Sequence, residues 1–142
     1  MQRKAFLGAL AAAAVSTLGA VLPARANDAL VVIAHASVRG DTDALKRLYT
    51  GRAIELDGQP ATPLHLATGS TVRRRFLAAV VQQTEEDYQA YWTVRRYVGK
   101  GAPPREFATA AELIEHVRTT PGAVGYIDPA DLKPGLHVIW KR

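Results

Sequence analysis

Leu30-Val31-Val32-Ile33-Ala34 is an unbroken apolar run rich in β-branched residues, the pattern of a strand buried on both faces. The period then changes. Ala44, Leu45, Leu48 and Tyr49 recur at helical spacing behind Asp41 and Thr42, either of which can cap a short helix that Gly51 ends. Ile54-Glu55-Leu56 running into Asp57-Gly58 predicts a strand and a turn, and Pro63-Leu64-His65-Leu66 predicts a second short strand.

The clearest helices follow. From Thr71 to Gln83, the residues Val72, Phe76, Leu77, Val80 and Val81 form one stripe at helical period. Thr84 caps the next helix, with Glu85, Glu86 and Asp87 in its positive first turn. Tyr88, Tyr91 and Trp92, extended by Val98, are its expected inner face. Gly99 to Pro104 reads as a loop. Thr109 and Glu112 form a capping box that opens a helix with Leu113, Ile114 and Val117 inside, and Pro121-Gly122 stops it. Ala123 to Ile127 and Leu136 to Trp140 are the last two strands. Strands alternating with helices predict an α/β three-layer sandwich around a mainly parallel or mixed sheet.

Composition narrows the chemistry. The absence of Cys among 142 residues excludes a disulfide framework, a Cys-ligated zinc, a redox pair and a cysteine nucleophile. The formal charge of +5 suggests an acidic partner, until the start of the chain is considered. Gln2-Arg3-Lys4 is a positive start, Ala5 to Leu22 carries no charge, and Ala24-Arg25-Ala26 has the small-x-small form of a cleavage site. Residues 1–26 are therefore expected to be a signal peptide that sends the chain to the periplasm. A retained anchor is the alternative, because the uncharged stretch nearly suffices to span a bilayer. Cleavage removes Arg3, Lys4 and Arg25 and leaves 15 basic against 13 acidic residues in 27–142, a single expected domain. The main argument for a nucleic-acid partner disappears with them.

Several stretches, in order, resemble a known family: Leu48-Tyr49-Thr50-Gly51-Arg52, then Gly69-Ser70-Thr71 opening a helix, then Tyr91-Trp92, Gly99-Lys100-Gly101 and Pro121 to Ile127. The set is similar to one lobe of the periplasmic phosphate-binding proteins of ABC transporters, in particular their small single-lobe relatives. The resemblance spans essentially all of residues 27–142. It implies a lobe of the type 2 periplasmic binding fold, a phosphate-recognition loop near residues 66–73, and an ABC permease or another envelope protein as partner. Two positions depart from the family pattern. Leu66 stands where the family carries an Arg, and Thr71 where it carries the second glycine of the turn.

The physics of such a loop stands apart from the family. A helix start presents unpaired N–H groups and a partial positive charge, which suits a tetrahedral oxyanion. Gly69 allows close approach, Ser70 and Thr71 offer hydroxyls, and Arg73 to Arg75 offer charge, Arg73 standing in for the missing Arg. Equally, Ser70 or Thr71 only caps the helix. Ser37, after His35 at the end of the first strand, is placed with this site by the rule that α/β sheets bind ligands at strand ends. The candidate ligand residues are Gly69, Ser70, Thr71, Arg73 and Ser37.

His65, His116 and His137 show no metal spacing, so no metal and no cofactor is expected. Asp41-Thr42-Asp43 and Asp128 to Asp131 read as helix-start and turn chemistry. Tyr88, Tyr91 and Trp92 read as packing. No nucleophile elbow, phosphate-binding Lys motif or carboxylate pair is present, and an enzyme is not expected. Two functions remain: an exported oxyanion-binding protein serving ABC-type uptake, or a non-transport module that keeps the lobe as a scaffold for an envelope protein. A weak homodimer that sets two Gly69-Ser70-Thr71 ends across one groove, tightened by phosphate, would rebuild the missing half of the cleft.

Overall fold

The computed structural model describes residues 28–142; the expected signal peptide lies outside them. Strand β1 (Val31–Ala34) leads through helix α1 (Thr42–Tyr49) to a two-stranded ribbon of β2 (Glu55–Leu56) and β3 (Gln59–Pro60). Strand β4 (Thr62–Leu66) runs into α2 (Thr71–Phe76), which continues as a π-turn over Leu77–Val81. Then come α3 (Glu85–Tyr97), β5 (Arg105–Phe107), α4 (Ala110–Thr119), β6 (Ala123–Ile127) and β7 (His137–Lys141).

The helices begin where side chains can satisfy their free N–H groups. Asp41 caps α1 by accepting from the Ala44 N–H at 2.7 Å, and Thr84 and Thr109 do the same for α3 and α4. The stripe from Phe76 to Val81 is inward as its spacing requires, with Phe76, Leu77, Val80 and Val81 all buried. Its second half is a π-turn rather than α-helix. Widening the turn keeps the same residues inside, so hydrophobic spacing cannot distinguish the two.

The main sheet has the order β5-β4-β6-β1-β7 and is mixed. Strands β5, β4 and β6 run parallel, whereas β1 is antiparallel to both β6 and β7. Strand β1 sits between two neighbours and is fully buried, as its apolar run demands. The two faces of β6 show the layers directly. On one face Tyr126 stacks on Phe76 of α2, with ring centroids 4.1 Å apart and planes within 6°. On the other, Gly125 leaves the space that Leu113 of α4 fills. The sheet therefore lies between α1, α2 and α3 on one side and α4 on the other, the sandwich that the alternation predicts.

One strand is unannounced by the pattern, and one local expectation fails. Arg105-Glu106-Phe107 is a strand, although nothing in three residues of mixed polarity announces one. Val98 is 56% exposed and does not extend the inner face of α3, because the helix ends at Tyr97 and Gly99 turns the chain away at φ +75°.

Candidate functional site

The turn after β4 holds the residues that the sequence nominates for an anion. Ala67 N–H donates to the Phe107 carbonyl, so the turn begins pinned to β5. Gly69 has φ +96° and nothing within 4 Å of where a Cβ would stand, and it is exposed. Its left-handed backbone explains the glycine. The Ser70 hydroxyl accepts from the Arg73 N–H at 3.3 Å and so caps α2. Thr71 is exposed. Gly69, Ser70, Thr71 and Arg73 therefore do share one corner of the molecule.

Arg73 is used differently from what an anion site needs. Its side chain is only 4% exposed. Nε lies 2.6 Å from Oε1 of Glu85, and one terminal nitrogen donates to Oε2 of the same carboxylate at 3.0 Å. The other donates to the Leu66 carbonyl at 3.1 Å and to the Glu106 carboxylate. Three of its five N–H donors are thus hydrogen-bonded, while Nε meets Glu85 as an ion pair without hydrogen-bond geometry. Burial alone would lower the Arg73 pKa, but the Glu85 carboxylate outweighs it and holds the guanidinium above its ordinary value. The group does return toward position 66, where the family Arg is missing. It arrives there already paired.

The neighbouring arginines divide. Arg75 pairs with Asp128 at 2.8 Å, while Arg74 is exposed. The Asp128 carboxyl also accepts from the Ala130 N–H, and these two contacts hold its pKa below the usual value.

Beneath Arg73 lies a buried polar cluster. His65, 1% exposed, places Nδ1 2.8 Å from the Tyr126 hydroxyl and Nε2 2.8 Å from the Tyr88 hydroxyl. Tyr88 donates to the Tyr49 carbonyl at 2.7 Å, so it accepts from His65. The Tyr126 oxygen accepts from the Leu66 N–H at 3.1 Å, leaving its own proton for Nδ1. This assigns a neutral imidazole protonated on Nε2. Burial, helped by Arg73, pushes the His65 pKa well below its ordinary value, and burial raises those of Tyr49, Tyr88 and Tyr126. Both ring nitrogens of His65 and the hydroxyl protons of Tyr88 and Tyr126 therefore have partners.

A cleft of about 440 Å³ opens beside this cluster, between α3 and the β4–β5 edge. Thr68, Gln89, Thr93, Arg96 and Glu106 form its polar rim, and Trp92 its floor. Glu106 is shared: it accepts from both Arg73 and the Thr68 hydroxyl. Among the described residues, no cluster of three or more His, Asp or Glu side chains is placed to hold a metal ion.

Ser37 is not part of this corner. Ala34 pairs with Val124 and Thr62 with Ala123, so the end of β1 lies beside the start of β4. Strand β1 runs against β6, so its C-terminal end is at the other end of the sheet from the C-terminal ends of β4 and β6. Ser37 therefore leaves the sheet at the opposite end from Gly69. The residues that reasoning from sequence missed are Glu85 and Glu106. A signal for Arg73 was present, since Phe76 and Leu77 follow it by three and four residues, which puts it on the inward face.

No protein-family model matches the chain, and no curated protein does so significantly. Among solved structures, the fold is similar to the crystal structure of an ABC-type phosphate transport receptor from Vibrio cholerae, with a TM-score of 0.58 and 15% sequence identity. The match covers 78% of this chain and 44% of that one, so this chain spans less than half of the receptor's length. At that identity the likeness is one of fold, and it establishes a periplasmic-binding-protein-like lobe.

Proposed function

We propose that this chain is an exported module that keeps a solute-binding lobe as a scaffold for contact with an envelope protein, a permease or a sensor. The observation that carries this reading is the state of Arg73. Glu85 and Glu106 occupy the guanidinium that would otherwise face an oxyanion at the Gly69 turn. Leu66 supplies no second cation there.

The test is calorimetry and thermal denaturation with phosphate and sulfate at about 10 mM. Binding with a dissociation constant near 10 μM would add about 4 kcal/mol of stability at that concentration. The expected result is no heat and no shift, together with a stable envelope protein captured on the chain. Saturable stabilisation that Ser70→Ala removes would overturn the reading.

A second reading, oxyanion binding at Gly69, Ser70 and Thr71, is favoured by the open space over Gly69. Glu106 is the movable element, with its side chain 45% exposed. Under this reading the unaltered chain binds phosphate weakly, and Glu106→Ala, which frees one guanidinium N–H, is expected to tighten that binding several-fold.

A further inference from the structure

We propose that two copies of this chain associate through the outer face of α3, packed antiparallel about a two-fold axis. This surface is separate from the Gly69 corner, and the proposal does not depend on what that corner binds.

Helix α3 carries apolar residues on two faces. Tyr88 and Trp92 are buried in the core, whereas Val94, Tyr97 and Val98 are 62%, 92% and 56% exposed. At 3.6 residues per turn the two stripes lie about 150° apart. Val94, Tyr97 and Val98 are spaced three and four residues apart, so they form one contiguous strip. Such a strip gains by leaving water, and grouped exposed apolar residues mark an interface.

The charges say what covers it. Glu85, Glu86 and Asp87 fill the first turn of α3, while Arg95 and Arg96 fill the last, with Lys100 just beyond. From Ala90 to Lys100 there is no carboxylate. Glu85 is committed to Arg73, and the Arg95 guanidinium folds back over Tyr91 and Trp92 to donate to the Gly51 carbonyl. Glu86, Asp87 and Lys100 are exposed. One end of the helix is acidic and the other basic, so the face is complementary to itself when a second copy lies on it in the reverse direction. The helix dipoles then also oppose favourably. A two-fold axis requires this self-complementary arrangement.

With the axis at Val94, that residue meets its own copy and Ala90 meets the partner's Val98. Lys100, whose N–H donates back to the Arg95 carbonyl at 2.8 Å, stays at the basic end of the helix and faces the acidic end of the partner helix. A single helix pair is a small interface, so half-association is expected on the order of 10–100 μM.

Sedimentation equilibrium on the protein recovered after expression of the whole sequence tests this, from about 5 to about 500 μM. The expected result is a monomer–dimer equilibrium. Val94→Asp and Tyr97→Ser, both at exposed positions, should each abolish the dimer while leaving thermal denaturation of the monomer unchanged. Lys100→Glu should weaken association several-fold, and adding Glu86→Lys to the same chain should restore it. A strict monomer across the range overturns the proposal. So does a dimer that neither Val94→Asp nor Tyr97→Ser weakens, because its contact then lies on another face.

Discussion

The Tyr126 hydroxyl stands between two consecutive residues of β4, donating to Nδ1 of His65 and accepting from the Leu66 N–H. One side chain from β6 thereby satisfies both a side chain and a backbone group of its neighbour strand. On the far side of the ring, Nε2 of His65 reaches Tyr88 on α3, and Tyr88 reaches the end of α1. The network ties four elements together, and it does so only while the imidazole is neutral.

That condition makes stability depend on pH. The folded pKa of His65 is depressed below its unfolded value of about 6.5. At and below that pH the unfolded chain binds a proton that the folded chain refuses. Stability should therefore fall as the pH drops from about 6.5, by up to about 1.4 kcal/mol per pH unit. Urea denaturation between pH 7.5 and 5 (about the range in which the unfolded imidazole charges) measures it. His65→Gln should flatten this dependence. Asp128, also depressed when folded, loses its contribution in a separate window below its ordinary value of 3.8.

Tyr126→Phe removes the shared hydroxyl and keeps the ring stacked on Phe76. The Leu66 N–H and the imidazole Nδ1 are then both buried without a partner. Leaving such groups unpaired costs about 1–3 kcal/mol each. Chemical denaturation at neutral pH should show a loss of about 2–6 kcal/mol for the two groups together. A loss below about 0.5 kcal/mol would mean that water replaces the hydroxyl.

Much of this fold was legible because burial imposes a period. The run from Leu30 to Ala34, the stripe from Phe76 to Val81 and the caps at Thr84 and Thr109 are local facts written in neighbouring residues. What stayed hidden is non-local. Nothing in Val31 to Ala34 says which way the strand runs beside β6, and so Ser37 was grouped with Gly69. The three residues of β5 carry no period. Arg73 finds Glu85 twelve residues on and Glu106 thirty-three residues on, separations at which spacing holds no information.

The two carboxylates on Arg73 should differ sharply in worth. Arg73→Met deletes a buried cation and leaves Glu85, 18% exposed, without its partner. Breaking a buried pair this way costs about 3–5 kcal/mol, reduced here to roughly 2–4 by the partial exposure of the glutamate. Glu106→Gln touches a side chain 45% exposed, where an ion pair contributes at most about 1 kcal/mol. Denaturation of the two variants side by side should reproduce that order, and equal losses would show that Glu106 is the main counter-charge.

Gly125 is demanded by its neighbour across the layers rather than by its backbone. A Cβ there would stand 2.6 Å from Cδ2 of Leu113, with the other two outer carbons of that side chain within 3.3 Å. Leu113 is fully buried on α4, so it has little room to turn away. Gly125→Ala is therefore expected to push α4 off the sheet and to cost about 1–3 kcal/mol, as overpacking does. Leu113→Ala alone opens a cavity and should cost about 2–5 kcal/mol. In the double variant the new methyl group enters the space that the leucine vacates. The combined loss should then be smaller than the two single losses added, by roughly 1 kcal/mol or more. Urea denaturation of the four proteins closes this cycle. Simple additivity would mean that Gly125 is kept for a reason other than the approach of α4.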